Sequence, residues 1–420
     1  MYPNPQDAVP LPPHPDLEQY RKRARELVKA CRAGSDAIQD WAVEWVDTLL
    51  SLHPNLPDFA RRDAGRRAHQ VADFARERLG REGTLSQAQF VIARAHGFAS
   101  WPKLVHHIEA VTAADPRRSA YERAADAIVN GDLATLEQLL ARYPHLVHER
   151  SARDHNSTLL HYTSANGVES YRQKTPPNIV AIARRLLDAG AEVDAEADVY
   201  GRGATTLALA VTSSHPRSAG LQIPLAELLL DRGARVDPDI VRYAVANGCP
   251  EAGAYMASRG APVDLEAAAG IGRVDLVARY FEPSRSVSER DAGTALVTAA
   301  WYGQRDVVAY LLDHGVAPGA RGTHGNTALH VACYSGHPET VALLIGRGAP
   351  LDVLDVVYRT PPIVWALHAW LVENRTDAAA CKSILRMLAE AGAEVPRERI
   401  EDARIRGDAA LHAVLSRGRR

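Results

Sequence analysis

The sequence predicts an all-α fold: a solenoid of stacked helix pairs preceded by a small helical N-terminal domain.

 

Two tags that recur along the chain lead to this prediction, together with a composition rich in alanine and leucine but poor in aromatic residues (6%). Small and unbranched side chains favour closely packed helices over sheets. A chain that grows by adding similar units can also be long without dividing into many domains, so its 420 residues do not argue against one repeat array.

The first tag closes apolar helices with a glycine. Its clearest copy runs from Leu186 to Asp194 as Leu-Leu-Asp-Ala-Gly-Ala-Glu-Val-Asp, and a second runs from Leu229 to Asp237. Glycine readily takes the left-handed backbone conformation that ends a helix, whereas other residues avoid it. The tag glycines are Gly190, Gly233, Gly260, Gly315, Gly348 and Gly392.

The second tag opens each unit, and its best copy runs from Gly325 to Ala332 as Gly-Asn-Thr-Ala-Leu-His-Val-Ala. Thr327 is suited to cap a first helix. Gly336 permits a tight turn, and Pro338 suits the first position of a second helix. The pattern therefore predicts a helix–turn–helix unit.

Residues 322–355 resemble an ankyrin repeat, with Thr-Ala-Leu-His where that family has Thr-Pro-Leu-His. The resemblance is specific over 290–355 and degenerate over 238–290. It implies about eight units plus a closing cap over 118–420. It also implies that the tag histidines, His161 and His330, brace each unit and its neighbour.

The resemblance implies a groove as well. In the ankyrin family, residues that follow the start of the first helix line a concave face together with the turn tips. Aromatic residues and arginine are the usual anchors of protein interfaces. The matching positions in this sequence are Trp301, Tyr302, Tyr334, His368, Thr323, His324, Asn326, Tyr358 and Arg359.

Extra residues between the two helices of a unit support an alternative function. They occupy 167–177, 212–224 and 367–377, and the first two insertions fall in neighbouring units, where we expect them to meet at one edge. Ordinary loop drift also explains them, because a longer surface loop costs little free energy. An enzyme or small-molecule pocket at that edge would draw on His161, Tyr162, Tyr171, Arg172, His215 and Arg217.

The region before the repeats divides into a proline-rich tail, 1–15, and a helical module, 16–113. We expect helices at 16–32, 35–52, 85–94 and 100–111, with a polar linker over 54–67. The module resembles a short helical segment found ahead of ankyrin repeats in bacterial proteins. Its last helix carries no basic face, which disfavours DNA binding, since phosphate contacts require one.

The amino-acid composition limits the kinds of partner and the location that we expect for this protein. The net charge of −2 favours neither nucleic acid nor an anionic membrane as a partner. No apolar stretch of about 18 residues predicts a membrane span, and the tail lacks the pattern of a signal peptide. Four widely spaced cysteines favour a reducing cytoplasm over a disulfide framework.

The sequence contains no catalytic motif, and we expect neither a cofactor nor a bound metal. The favoured function is a scaffold that binds another protein through the concave face and turn tips. The insertion-edge pocket is the alternative, and a nucleic-acid-associated regulator acting through the N-terminal helices is the third hypothesis.

Overall fold

The computed structural model describes residues 3–53, 63–113, 117, 119–395 and 397–417. The chain forms two compact units, Met1–Asp237 and Pro238–Arg420. Among the residues described, none of the helices combines the length and apolar character needed to cross a bilayer. The boundary between these two compact units does not test the predicted boundaries of the tail, the module and the repeats, which stay predictions.

After a short 3₁₀ helix at Pro5–Asp7, five α-helices open the first unit within the described residues. Asp16 caps the first of them through the backbone N–H of Glu18, and Thr84 forms a capping box with Gln87 at the fourth. The apolar faces of these helices share one core. The helices are α1 Leu17–Ala33, α2 Ser35–Ser51, α3 Ala64–Leu79, α4 Leu85–Ala95 and α5 Trp101–Thr112.

Helix α3 corrects the predicted linker. Residues 54–62 of that linker lie outside the described residues, but the helix begins at Ala64, inside the predicted range. The buried residues Ala68, Val71, Ala72 and Ala75 follow helical spacing. Small alanines among arginines leave only a weak apolar stripe, so the sequence pattern alone predicts a polar segment.

Three helix pairs complete the first unit. The first helix of the second pair is a 3₁₀ helix, Leu159–Ser164. A short antiparallel hairpin, β1 Glu196–Val199 and β2 Arg202–Thr205, precedes the third pair, and the all-α prediction did not include it. The α-helices are α6 Ala120–Asn130, α7 Leu133–Arg142, α8 Ile179–Asp188, α9 Thr206–Val211, α10 Ser214–Ser218 and α11 Gln222–Asp231.

The second unit contains five helix pairs and a closing group of short helices within the described residues. Successive first helices pack side by side over a continuous apolar core. The pairs are α12 Ile240–Ala246 with α13 Pro250–Ser258, α14 Leu265–Gly270 with α15 Val274–Ala278, α16 Glu289–Trp301 with α17 Arg305–Asp313, α18 Ala328–Ser335 with α19 Pro338–Gly346, and α20 Pro362–Leu371 with α21 Ala378–Glu390. The closing helices are α22 Arg397–Ile400, α23 Ala403–Arg406 and α24 Ala409–Arg417.

The two sequence tags act locally as their chemistry predicts. Each of the six tag glycines has a positive φ, between 76° and 101°. At the opening tag, Nδ1 of His330 accepts a hydrogen bond from the backbone N–H of Thr327 at 3.2 Å. Nε2 of the same ring donates to the carbonyl oxygen of Thr360, in the next repeat, at 3.1 Å. The histidine therefore joins two repeats.

Candidate functional site

Four aromatic side chains line a groove in the second unit. The Trp301 and Tyr334 rings lie 5.7 Å apart between centroids. Trp365 meets Tyr334 edge-on at 5.7 Å and Tyr358 at 6.3 Å. The rings border a cavity of about 570 Å³ that Thr360, Val364, His368, Glu373 and Arg399 also line. We call these four rings and this cavity the aromatic groove.

The helices explain why the rings meet. Trp301 ends α16, and Tyr334 occupies the corresponding place near the end of α18, one repeat later. Because neighbouring first helices pack side by side, residues at matching positions come together. Trp365 lies on α20, the next first helix. The repeat geometry thus converts a spacing in the sequence into a row of rings.

A polar edge borders the groove. The Tyr334 hydroxyl donates to Oε2 of Glu373 at 2.6 Å, and Nε2 of His368 lies 3.2 Å from Oε1 of the same carboxylate. Burial and the hydrogen bond to Glu373 raise the pKa of Tyr334 above its ordinary value. The hydroxyl therefore stays protonated and keeps this edge in place.

An exposed apolar turn adjoins the groove, and we call its exposed residues, 354 and 356–358, the apolar tip. Val356, Val357 and Tyr358 are 63%, 66% and 73% exposed, and Leu354 is 41% exposed. Scattered apolar residues are common on surfaces, but a contiguous exposed patch is typical of an interaction site. Because these side chains are exposed, packing in the core does not explain why they are apolar.

Asp355, buried beneath the tip, holds it in shape. Its carboxylate accepts hydrogen bonds from the backbone N–H groups of Val357, Tyr358 and Thr360 at 2.9, 2.6 and 3.0 Å. It also accepts one from the indole N–H of Trp365 at 3.3 Å. Burial acts to raise the pKa of Asp355, but these hydrogen bonds outweigh it and hold the pKa well below its usual range. One ionised side chain thereby positions both the tip and a groove ring.

The predicted groove residues fall into two sets. Trp301, Tyr334, Tyr358 and His368 all line the cavity. The remaining five lie elsewhere: Tyr302 donates to the carbonyl of Val245 on α12, Asn326 is buried, and Thr323, His324 and Arg359 are exposed.

Sequence reasoning missed Trp365, Glu373, Asp355 and the valines of the tip. Two signals could have found them. Val356 and Val357 are apolar in a turn, where polar residues are expected, and Trp365 is a large aromatic on the same first helix as His368.

The residues of the alternative pocket are mostly interior. His161 caps the 3₁₀ helix with Thr158, and its Nε2 lies 3.3 Å from the Ala204 carbonyl oxygen. The Arg172 guanidinium lies 5.7 Å from the ring of the buried Tyr162 and 5.5 Å from that of Tyr171. His215 is half-buried and Arg217 is exposed, both on α10. Next to the first insertion, the Asn166 amide donates to the hydroxyl of Thr212, the first residue of the second insertion, at 3.2 Å.

The first insertion supplies a buried ion network instead of an open edge. Arg172 pairs with Glu122 at 2.7 Å and with Glu169 at 3.3 Å. Arg153 pairs with Glu169 at 2.8 Å and with Glu122 at 3.1 Å. Burial alone would raise the pKa of Glu169, but Arg153 and Arg172 lower it well below its ordinary value. We call these four residues the buried network.

A second cavity, of about 350 Å³, borders the buried network. Oε2 of Glu169 and Nε2 of His155, both lining it, have no hydrogen-bond partner among the described residues. The two atoms are 3.7 Å apart, beyond hydrogen-bond distance. Nδ1 of His155 accepts from the backbone N–H of Ser157 at 3.2 Å, so the neutral ring carries its proton on Nε2. A donor and an acceptor without hydrogen-bond partners among the described residues therefore lie side by side in two residues that line this cavity.

Helix pairs that end at glycine, brace one another through histidine and carry a groove define a helical-repeat protein. Residues 265–355 match the family model described as ankyrin repeats (3 copies). This part of the chain therefore consists of ankyrin repeats.

Curated relatives match segments of the chain. Inversin of Danio rerio is 38% identical over 79 residues, 18% of this chain and 8% of its own length. A putative ankyrin repeat-containing protein of Treponema pallidum (strain Nichols) is 32% identical over 134 residues, 30% of this chain and 38% of its own length. An ankyrin repeat and KH domain-containing protein of Caenorhabditis briggsae is 32% identical over 138 residues, 29% of this chain and 5% of its own length. The chain thus spans well under two thirds of each of these relatives.

Proposed function

We propose that this protein binds another protein through the aromatic groove and the apolar tip. The observation that carries the proposal is the exposure of Val356, Val357 and Tyr358, which extends the row of groove rings as an apolar surface. Interfaces concentrate their binding energy in a few aromatic anchors surrounded by weaker contacts. Asp355 and the packed first helices hold this surface in one shape, so little ordering free energy is lost on binding.

The double variant Trp301→Ala and Tyr358→Ala tests this function. Truncating an anchor costs about 2 kcal/mol, so affinity for the partner should fall by a factor of about 30 or more per ring. The measurement is quantitative affinity capture with mass spectrometry, followed by titration of the captured partner. Circular dichroism checks that the double variant remains folded.

Tyr255→Ala is the matched control. Tyr255 is a half-buried tyrosine of the same unit, on α13, and does not line the groove. Its removal should leave capture unchanged. Equal capture by the double variant and by the wild-type chain would exclude the groove as the binding surface.

A second candidate function is the binding of a small hydroxyl-bearing molecule in the cavity beside the buried network. A hydroxyl group could donate to Oε2 of Glu169 and accept from Nε2 of His155 at once. Buried polar groups without a protein partner are normally satisfied by water or a ligand. This observation favours a small molecule at the place where the first insertion packs.

Backbone amide NMR tests this second function. Gly97, Gly201 and Gly203 line the cavity, and we expect saturable shifts of their signals with a member of a panel of monosaccharides, nucleosides and polyols. Gly260, in the second unit, should not move. Unchanged signals at all three glycines with the whole panel at millimolar concentration would contradict the proposal.

We propose a reducing compartment, the cytoplasm, as the place of action. All four cysteines are buried, and burial raises the pKa of the Cys333 thiol above its ordinary value. Buried thiols with raised pKa values are poor nucleophiles and behave as small apolar side chains.

A further inference from the structure

Arg375 lies against the aromatic groove. Its guanidinium carbon is 4.9 Å from the centre of the Tyr334 ring and 5.8 Å from that of Trp301. Its Nη1 donates to the Tyr334 hydroxyl at 3.3 Å. Arg375 belongs to the turn between α20 and α21, within the third predicted insertion. An inserted residue thus presents a cation to two groove rings.

The turn that carries Arg375 is docked but open to solvent. The Arg375 backbone N–H donates to the Ala369 carbonyl at 2.9 Å, and the Thr376 hydroxyl donates to the Tyr334 carbonyl at 3.2 Å. Residues 372–375 are nevertheless exposed. Asn374 has a positive φ of 50°, a conformation that costs non-glycine residues free energy. The turn can therefore give way without disturbing the core.

The chemistry of the groove suits a cation. Aromatic faces attract a guanidinium, more strongly when it is desolvated, and tryptophan attracts it most. Glu373 and Arg399 both line the cavity and carry opposite charges, which offset each other. The aromatic rings therefore determine whether the groove prefers a cation. Glu373 is exposed and lies beside Tyr334, where a second guanidinium could pair with it.

We propose that the aromatic groove accepts an arginine side chain of the partner, set among apolar residues that contact the apolar tip. Arg375 occupies the aromatic faces in the unbound chain and is displaced by the partner's arginine. This inference rests on the proposed protein-binding function and specifies its chemistry. Arginine fits better than lysine because its planar guanidinium stacks on rings and forms paired hydrogen bonds with a carboxylate.

Blocked synthetic peptides test the inference. The probe has one central residue flanked by valine and leucine and carries no other charge. The central residue is arginine, citrulline, which has the same shape without the charge, leucine or glutamate. Tryptophan fluorescence or calorimetry measures their affinities for the full-length chain. We expect the arginine peptide to bind at least about fivefold more tightly than the citrulline peptide.

Variants separate the cation site from general peptide binding. Arg375→Gln removes the internal competitor, so we expect it to strengthen binding of the arginine peptide by about threefold or more. Trp301→Ala should abolish the preference for arginine over citrulline. Arg305→Gln is the matched control, because Arg305 is an exposed arginine of the same unit outside the groove, and it should change neither affinity.

Several outcomes would overturn the inference. They are equal affinities for the arginine and citrulline peptides, tighter binding of the leucine or glutamate peptide, and no saturable binding of the arginine peptide to the Arg375→Gln chain. Loss of partner capture by the Trp301 and Tyr358 double variant, together with any of these outcomes, would retain the protein-binding function and reject the arginine chemistry. Unchanged capture by the double variant would reject the protein-binding function itself.

Discussion

Glu169→Ala is expected to destabilise the Met1–Asp237 unit by about 3–5 kcal/mol, because removing one member of a buried ion network leaves the others uncompensated. Glu169 is 1% exposed and pairs with Arg153 and Arg172. Without Glu169, the guanidiniums of Arg153 and Arg172 would share the carboxylate of Glu122. Arg172 would also keep its ion pair with Asp126. The loss exceeds that of a typical surface substitution several-fold.

Urea unfolding followed by fluorine NMR measures this loss unit by unit. The six tryptophans divide evenly, with Trp41, Trp45 and Trp101 in the first unit and the other three in the second. Fluorotryptophan signals therefore report each unit separately. Glu169→Gln keeps the shape of the side chain, and we expect a smaller loss because its amide still accepts one hydrogen bond.

Glu192→Ala is the control, since Glu192 is exposed in the same unit. It should change the stability by no more than about 0.5 kcal/mol. A loss below about 1 kcal/mol for Glu169→Ala would mean that water reaches the network and screens its charges.

Contacts beside the buried network join the N-terminal helices to the first repeats within this unit. Nη2 of Arg67, on α3, donates to the Ser170 hydroxyl at 3.0 Å, next to Glu169 in the chain. Arg94, on α4, pairs with Asp154, and the Asp154 backbone N–H donates to the Gly97 carbonyl at 2.8 Å. The first insertion is thus a packing segment between helices and repeats, and its charged residues serve the interior.

Local signals made the repeats predictable. The glycine that ends a helix and the threonine–histidine pair that begins one depend on residues a few positions apart, as Thr327 and His330 illustrate. The groove residues Trp301 and Tyr334 were predictable because matching positions of successive units meet. In these cases the information lies within one repeat or in the spacing between two.

Contacts between distant segments were not predictable in this way. The sequence places Arg172 in an insertion, and only its partners Glu122 and Asp126, far along the chain, show that it is interior. The role of Asp355 was not predictable for a different reason, because its partners Tyr358 and Trp365 are near in sequence but an aspartate in a turn is expected to be exposed. A polar side chain in a loop pattern predicts exposure unless its partners are known.

Mild acid is expected to destabilise the first unit through three buried histidines. Burial is the largest cause in each case, and it lowers the pKa of His96 to about 3 and those of His107 and His161 to about 4. An unfolded histidine titrates near pH 6.5. Below that pH the unfolded chain binds protons that the folded chain does not, so stability is present above about pH 6.5 and is lost as the pH falls towards 4.

The expected loss is about 1.4 kcal/mol per pH unit for each such histidine. Glu122, whose pKa is lowered to about 2 despite burial because Arg153 and Arg172 lie beside it, adds a loss of the same sign below about pH 4.5. The fluorotryptophan signals of the first unit should show urea midpoints that fall steadily from pH 7 to pH 5.

His107→Gln and His106→Gln form a matched pair that tests the cause. The two histidines are neighbours on α5, but His107 is buried against Phe98, with 4.8 Å between ring centres, while His106 is exposed. Glutamine does not titrate, so His107→Gln should make the pH dependence shallower by about 1.4 kcal/mol per pH unit, and His106→Gln should leave it unchanged. Equal slopes for the two variants would show that His107 gains its proton without unfolding, through a local opening of α5, and the acid sensitivity would then belong to His96 and His161.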